Sequence, residues 1–111
     1  MAKGGFPGMG GANMQQLMKQ AQKMQQDVQR LQQEISEREF TAAAGGGVVK
    51  ATVLGSKVVK SIEIDPACVD PDDVEMLQDL VLAAVNEALR MADETMTSEM
   101  NRVTGGMNLG F

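Results

Sequence analysis

The feature that most constrains the fold is the segment from Asn13 to about Arg38, which contains neither glycine nor proline. Its apolar residues recur at alternating spacings of three and four, which predicts a helix with one narrow apolar stripe. At about 1.5 Å per residue this helix is roughly 40 Å long, so we expect part of it to project from a domain of this size. The stripe, called the seam below, consists of Met14, Leu17, Ala21, Met24, Val28, Leu31 and Ile35. Such a seam is suited to pairing with another helix.

A glycine-punctuated, β-branched sequence follows the helix and predicts a sheet. We expect strands at 39–44, 48–54 and 57–64, with a turn at Gly45-Gly46-Gly47 and a two-residue hairpin loop at Gly55-Ser56. The middle strand alternates apolar and polar side chains, which predicts one buried and one outward face. Strands this short need a helix packed on them to be stable.

A second long helix is predicted after the sheet. Asp70 is expected to cap it, Pro71 to occupy its first position, and the helix to run to about Val103 before Gly105-Gly106. Its apolar residues form two stripes: Val74, Leu77, Val81, Ala84, Ala88 and Met91, and a second stripe of Leu82, Val85, Leu89, Ala92, Met96, Met100 and Val103. One stripe can cover the sheet, and the other is expected to meet a second copy of the chain. The predicted dimer interface is Leu82, Val85, Leu89 and Met96.

The composition argues against an enzyme. Histidine is absent and Cys68 is the only cysteine, which excludes imidazole catalysis and an internal disulfide. The carboxylates at 63, 65, 70, 72, 73 and 75 lack the spacing of a calcium loop, and we assign them to capping and solvation. We therefore expect no catalytic constellation, metal, cofactor or small-molecule substrate. With no secretory signal or membrane span in sequence, we expect a cytoplasmic protein.

The charge is strongly polarised along the chain. The net charge of −5 divides into +4 for residues 1–60 and −9 for residues 61–111. In the first helix Lys19, Lys23 and Arg30 share one face away from the seam, and no acidic residue precedes Asp27. This glutamine-rich, positive rod is suited to contacting phosphates without reading a fixed sequence. Lys3, in the glycine-rich segment 1–12, is a further candidate.

Five separated strings in the chain are similar to those of a known family. They are MQQLMKQAQKMQ at 14–25, GGVVKAT at 46–52, IEIDP at 62–66, EMLQDLV at 75–81 and GGM at 105–107. Together they resemble the YbaB/EbfC family of bacterial nucleoid-associated proteins, in order and over nearly the whole chain. The resemblance and the element order imply an α+β fold: a long N-terminal helix, a three-stranded antiparallel sheet and a long C-terminal helix.

The resemblance also implies an intertwined, tweezer-like homodimer that binds duplex DNA with little sequence preference and contributes to nucleoid organisation and gene regulation. Lys19 and Lys23 inherit the DNA-contact role most directly because they lie inside a matching string. We expect a single domain at 13–104 between a flexible glycine-rich N-terminal segment at 1–12 and a flexible C-terminal tail at 105–111. The alternative is a non-enzymatic cytoplasmic adaptor that binds a protein through its coiled-coil and Met-rich surfaces.

Overall fold

The protein folds as helix, three strands and helix, which confirms the predicted α+β class. The computed structural model describes the backbone of residues 7–104 and the side chains of residues 13–104. The elements are α1 (Pro7–Glu37), β1 (Glu39–Ala44), β2 (Val49–Leu54), β3 (Val59–Ile64) and α2 (Val74–Thr104). Short 3-10 turns lie between β1 and β2 (Gly45–Gly47) and after β3 (Pro66–Cys68).

The sheet is antiparallel in the order β1-β2-β3, and one face packs on α2. The inward residues of β2, Val49, Ala51 and Val53, are fully buried. They meet an alanine row on α2 at a spacing of four, Ala84, Ala88 and Ala92, which is also fully buried. Small side chains at this spacing let the helix approach the strands closely. The predicted alternation of β2 is therefore confirmed.

Two threonines on neighbouring strands are hydrogen-bonded to each other on the outer face of the sheet. Thr52 is only 8% exposed although it lies on the outward side of β2. Its hydroxyl and that of Thr41, its cross-strand neighbour in β1, lie 2.8 Å apart in a hydrogen bond. This bond satisfies a polar group that would otherwise be costly to bury.

The first helix begins at Pro7, six residues before the predicted start at Asn13. Proline suits the first helical position because its missing N–H would have no intrahelical partner there and its φ is already close to helical. The glycines that follow lower helix propensity without forbidding it. Residues 1–6 and 105–111, including Lys3 and the predicted tail, lie outside the described residues.

The second helix is capped by Asp73, and the expectation that Asp70 caps it with Pro71 in its first turn is wrong. The Asp73 carboxylate accepts a hydrogen bond from the Met76 N–H at 3.1 Å. Asp70 instead stabilises the preceding turn, since its carboxylate accepts from the Asp72 N–H at 2.9 Å and its carbonyl from the Asp73 N–H at 2.9 Å. Pro71 occupies the second position of that turn, where its fixed φ is favourable.

The loop between β2 and β3 has three residues rather than the predicted two. The Lys57 N–H donates to the Leu54 carbonyl and the Leu54 N–H donates to the Val58 carbonyl, both at 2.8 Å. Lys57 closes the loop with a φ of +74°, the left-handed residue of a turn followed by a bulge. The third strand therefore begins at Val59 and not at Lys57.

The helices α1 and α2 run antiparallel, and the N-terminal part of α1 extends beyond the end of α2. Ile35 is fully buried in the cluster that contains Ala88 and Ala92, with Leu31 packed against it. Further out, Val28 lines a groove together with Val103, near the end of α2. The radius of gyration is 23.3 Å, whereas a globular domain of about 100 residues has roughly 13 Å. The outer part of α1, residues 13–23, is called the arm below.

Candidate nucleic-acid interface

Two lysines on the arm carry charge that no neighbour neutralises. Lys19 and Lys23 are both exposed, and their spacing of four places them one turn apart on a single face. Lys19 lies on the side of the helix opposite the seam, whereas Lys23 also borders the groove that the seam residues Leu17, Ala21 and Met24 line. Within residues 13–104, no carboxylate lies within ion-pair distance of either lysine. Both ammonium groups are therefore available to an external anion.

Arg30, the third predicted DNA contact, has a different environment. Its guanidinium lies 3.3 Å from the Asp27 carboxylate and 3.7 Å from the Glu34 carboxylate. The side chain remains 69% exposed, but two carboxylates compensate its single charge. The structure thus brings Lys19 and Lys23 together as an unpaired positive face and places Arg30 at its neutralised edge. Lys3 lies outside the described residues.

Most cations of the body are paired with carboxylates. Lys57 pairs with Asp93, and Lys60 with Glu39. On α2, Arg90 pairs with Glu87 and Glu94, and Arg102 with Glu99. Both arginines of α2 are thus neutralised by glutamates. The remaining carboxylates of α2 are exposed to solvent, so this helix repels a polyanion.

Arg38 and Lys50 were not among the predicted site residues, although both are exposed and have no ion pair in the described part of the chain. Arg38 joins α1 to β1, and Lys50 lies directly opposite Glu63 in the register of β2 and β3. The sequence shows that these two residues are charged, but it does not show that the other cations of the body form ion pairs. It therefore could not distinguish Arg38 and Lys50 from them.

The strongest ion-pair cluster lies on the solvent side of α2. The Arg90 guanidinium donates to Glu87 at 3.0 Å and to Glu94 at 2.6 Å. Its hydrogen bond lowers the pKa of the Glu87 carboxyl. The same bond, followed by the charges of both glutamates, raises the pKa of Arg90 above its usual range. Because the side chains of Arg90 and Glu87 are 57% and 43% exposed, solvent screens the cluster and it stabilises the helix surface only modestly.

Three of the four carboxylates between β3 and α2 accept capping or turn hydrogen bonds. Asp65 accepts a hydrogen bond from the Ala67 N–H at 2.9 Å and caps the 3-10 turn, and Asp70 and Asp73 act as described above. Across the described residues, no group of three or more His, Cys, Asp or Glu side chains is placed to hold a metal ion. Cys68 is half-buried and packs against the cluster of Val49 and Ala51, as expected for a small apolar residue.

The predicted dimer residues on α2 have two different environments. Leu82 is 58% exposed. In contrast, Val85, Leu89 and Met96 are half-buried and pack against the chain's own core clusters. Part of the second stripe therefore packs against the chain's own core, which contains residues of the sheet as well as Ile35 of α1, and the sequence pattern did not predict this. In the region that the structure describes, neither helix is apolar enough over its length to cross a membrane.

The fold and this surface define a class: a small α–β–β–β–α protein that holds a cationic helical arm outside an acidic body. The model of the YbaB/EbfC DNA-binding family matches residues 9–107. The chain belongs to that DNA-binding family.

Curated relatives match the chain over nearly its full length. A nucleoid-associated protein of Clostridium acetobutylicum is 60% identical over 109 residues, covering 98% of this chain and 97% of the relative. A nucleoid-associated protein of Acetivibrio thermocellus is 61% identical over 107 residues, covering 96% and 94%. The crystal structure of an uncharacterised protein from Helicobacter pylori superposes with a TM-score of 0.56 at 21% identity, covering 80% of this chain and 96% of that one. This last likeness concerns the fold alone.

Proposed function

We propose that this protein is a nucleoid-associated protein that binds duplex DNA through the Lys19 and Lys23 face of its arm, with little sequence preference. The observation that carries the proposal is the pair of unpaired lysines on a helix outside the acidic body. Lysine and glutamine on this face can contact phosphate oxygens, which position a protein on DNA without reading the bases. Such binding suits a role in nucleoid organisation and gene regulation in the bacterial cytoplasm.

The acidic body restricts how DNA can approach. Each chain has a net charge of −5, so a dimer carries −10, and the carboxylates of α2 repel the phosphate backbone. The contact is therefore confined to the arms, where the charge per length of helix is positive. Weak affinity and strong dependence on salt follow from a contact of this size.

The salt dependence of affinity is the first test of this proposal. If a dimer uses Lys19 and Lys23 of both arms, four phosphates are neutralised, and log affinity should fall against log salt with a slope of about −3.6. Fluorescence anisotropy on random and mixed-sequence duplexes of equal length would measure the slope and any sequence preference. Absence of binding at low salt would contradict DNA as the ligand and favour the protein-adaptor alternative.

A homodimer is supported by the incomplete cover of the sheet. The inward residues of β3, Val59, Ile62 and Ile64, are 42%, 42% and 39% exposed. Their partners across the register, Val53, Ala51 and Val49, are fully buried beneath α2. The apolar face of the sheet thus extends beyond its helix, and a second copy, together with the exposed Leu82, would bury it.

Ile62→Asp is expected to convert the dimer into a folded monomer. The side chain projects from an edge strand and contributes little to the protomer's own core, so the new charge acts on the interface. Ser61→Asp, one residue away on the outward face of β3, is the matched control and should leave the dimer intact. Sedimentation velocity reports the mass and circular dichroism the fold. A dimer that tolerates Ile62→Asp and Leu82→Asp equally would rule out this surface.

The adaptor alternative has its own supporting observation. Met14, Leu17 and Met18 on the arm are 58%, 59% and 59% exposed, and methionine-rich surfaces adapt to varied partners. Under this alternative, alanine substitution of these residues would abolish partner capture, while charge changes at Lys19 and Lys23 would have little effect.

A further inference from the structure

The seam of α1 continues beyond the end of α2, and the proposed function makes no use of it. Ile35 packs in one cluster with Ala92, and the two helices run in opposite directions. Eleven residues after Ala92, Val103 lines the same groove as Met24, which lies eleven residues before Ile35. Within the part of the chain that the structure describes, α2 therefore ends level with Met24, and α1 runs on alone from there to Pro7.

Three large apolar side chains on this outer part of α1 are exposed. Met14, Leu17 and Met18 are 58%, 59% and 59% exposed. Leu17 and Ala21 also line a groove of about 630 Å³ that Val103 borders on α2. A heptad stripe is the surface by which one helix packs along another, so among the described elements this part of α1 lacks a helix to cover it.

The uncovered length of α1 matches a second copy of itself. Residues 7–22 span about 24 Å at roughly 1.5 Å per residue, and a helix of the same length lying antiparallel on them would reach the end of α2 without overlapping it. The two-fold axis of such a pair lies near residues 15 and 16. Met14 of each chain then faces Leu17 of the other, and Met18 lies beside them.

The residues beside the seam are compatible with an identical partner. Asn13, Gln16 and Gln20 lie along one side of it and are exposed. Their amides both donate and accept hydrogen bonds, so they can pair with the same residues of another copy. Charged residues at these positions would instead face like charges in an identical chain.

The lysines of the arm do not oppose this contact. Lys19 lies on the side of the helix opposite the seam. Lys23 borders the groove, but in an antiparallel pair it is level with residues 7–12 of the second copy, whose sequence contains no charged residue. In a parallel pair each Lys23 would be level with its own copy. Charge on the arm therefore favours the antiparallel orientation.

The acidic bodies favour the same orientation. Residues 61–111 carry a net charge of −9, and a parallel pair would place two such bodies side by side. In the antiparallel pair the two Ile35 residues are about 60 Å apart along the helices, several times the screening length of about 10 Å at 0.1 M salt. At that separation the two chains cannot also share the β3 contact, so the second copy belongs to another dimer.

We propose that the seam at Met14, Leu17 and Met18 is an assembly surface, which packs antiparallel on the same seam of a chain from another dimer. The contact is isologous, so each pair of arms is closed by its own two-fold axis. One arm pair is short and weak, but two dimers that meet through two arm pairs gain from the high effective concentration of the second contact. The inference goes beyond the proposed function, since it requires no DNA.

Thiol crosslinking tests the contact in the full chain. In a Cys68→Ala background, Leu17→Cys lies near the two-fold axis, and we expect a short bismaleimide to join two chains there about tenfold or more faster than in either control. Gln15→Cys is also near the axis but on the opposite face of the helix. Ala21→Cys is on the seam but about 16 Å from its own copy along the antiparallel pair. Equal rates for Leu17→Cys and either control would overturn the proposal.

Sedimentation equilibrium tests whether the contact joins dimers. Leu17→Asp places a charge in the apolar contact and is expected to raise the Kd of the dimer-to-tetramer step about tenfold or more. Gln15→Asp adds the same charge on the opposite face and should leave this step unchanged. A wild-type chain that forms nothing larger than Leu17→Asp forms, at every concentration, would overturn the proposal. If Ile62→Asp shows that the β3 contact does not exist, the arm pair is the only dimer and Leu17→Asp should give a monomer.

Discussion

Replacing Lys19 and Lys23 with glutamine is expected to weaken binding to duplex DNA about 4000-fold at 0.1 M salt, with fold and oligomeric state unchanged. Both side chains are exposed and make no ion pair within residues 13–104, so the protomer loses no contact of its own. Each phosphate contact releases about 0.9 counterion, which amounts to roughly eightfold in affinity at this salt concentration. A dimer loses four such contacts, and the salt slope should fall toward zero.

The control for this experiment must change the charge equally. Thr97→Glu with Asn101→Glu lowers the charge of each chain by the same two units, at the same spacing of four, on exposed positions of α2. If binding depends on the arm, this variant should lose no more than about threefold. Equal losses in the two variants would mean that net charge, and not the arm, governs affinity. Lys19→Glu with Lys23→Glu should abolish a gel shift altogether.

The local elements could be predicted from sequence because each is specified by neighbouring residues. The first strand falls at Glu39–Ala44 as predicted, and β2 buries Val49, Ala51 and Val53 in the predicted alternation. A period of two is a property of a few consecutive side chains, so it survives without knowledge of the fold. The element order follows from the same local signals.

Exact boundaries were harder to predict where several adjacent residues could serve the same role, as at a helix cap or in a hairpin loop. Three of the four residues Asp70-Pro71-Asp72-Asp73 can cap a helix, and only the backbone geometry selects Asp73. The hairpin loop has three residues instead of two because Lys57 adopts a left-handed conformation. Lysine rarely adopts this conformation, so the sequence did not indicate it. These errors shift boundaries by one to three residues and leave the topology unchanged.

The candidate site was predicted in part. The pairing of Arg30 could have been anticipated, since Asp27 and Glu34 lie three and four residues from it. The pairing of Lys57 with Asp93, 36 residues away, could not. Neither could the packing of Leu89 and Met96 against the chain's own core, since two stripes on one helix do not reveal which of them the chain itself buries. Pairing and packing decide which charges and apolar residues remain available, and both are tertiary.

Gly55→Ala is expected to lower the free energy of unfolding by about 3 kcal/mol or more, the largest effect of a glycine-to-alanine change among the glycines at 45–47 and 55. Gly55 is buried in the β2–β3 loop, and a Cβ there would lie 1.9 Å from the Ile35 carbonyl oxygen and 2.6 Å from its carbon. Since the obstacle is backbone, the loop must move away from the end of α1. Two hydrogen bonds would be lost: Gly55 N–H to the Arg38 carbonyl at 2.9 Å and Ser56 N–H to the Ser36 carbonyl at 3.2 Å.

Those same bonds fix where α1 leaves the body, so the substitution acts on the arm as well as on stability. Gly46→Ala is the matched control: nothing lies within 4 Å of its Cβ position, and only its φ of +75° is unfavourable, which costs about 1 kcal/mol. Chemical denaturation of both variants measures the difference. If Gly55→Ala were no more destabilising than Gly46→Ala, the loop would not be anchored on α1, and the arm would lack its fixed base. If the predicted gap is found, and DNA affinity falls in Gly55→Ala under conditions where it remains folded, the anchoring of the loop positions the lysine face.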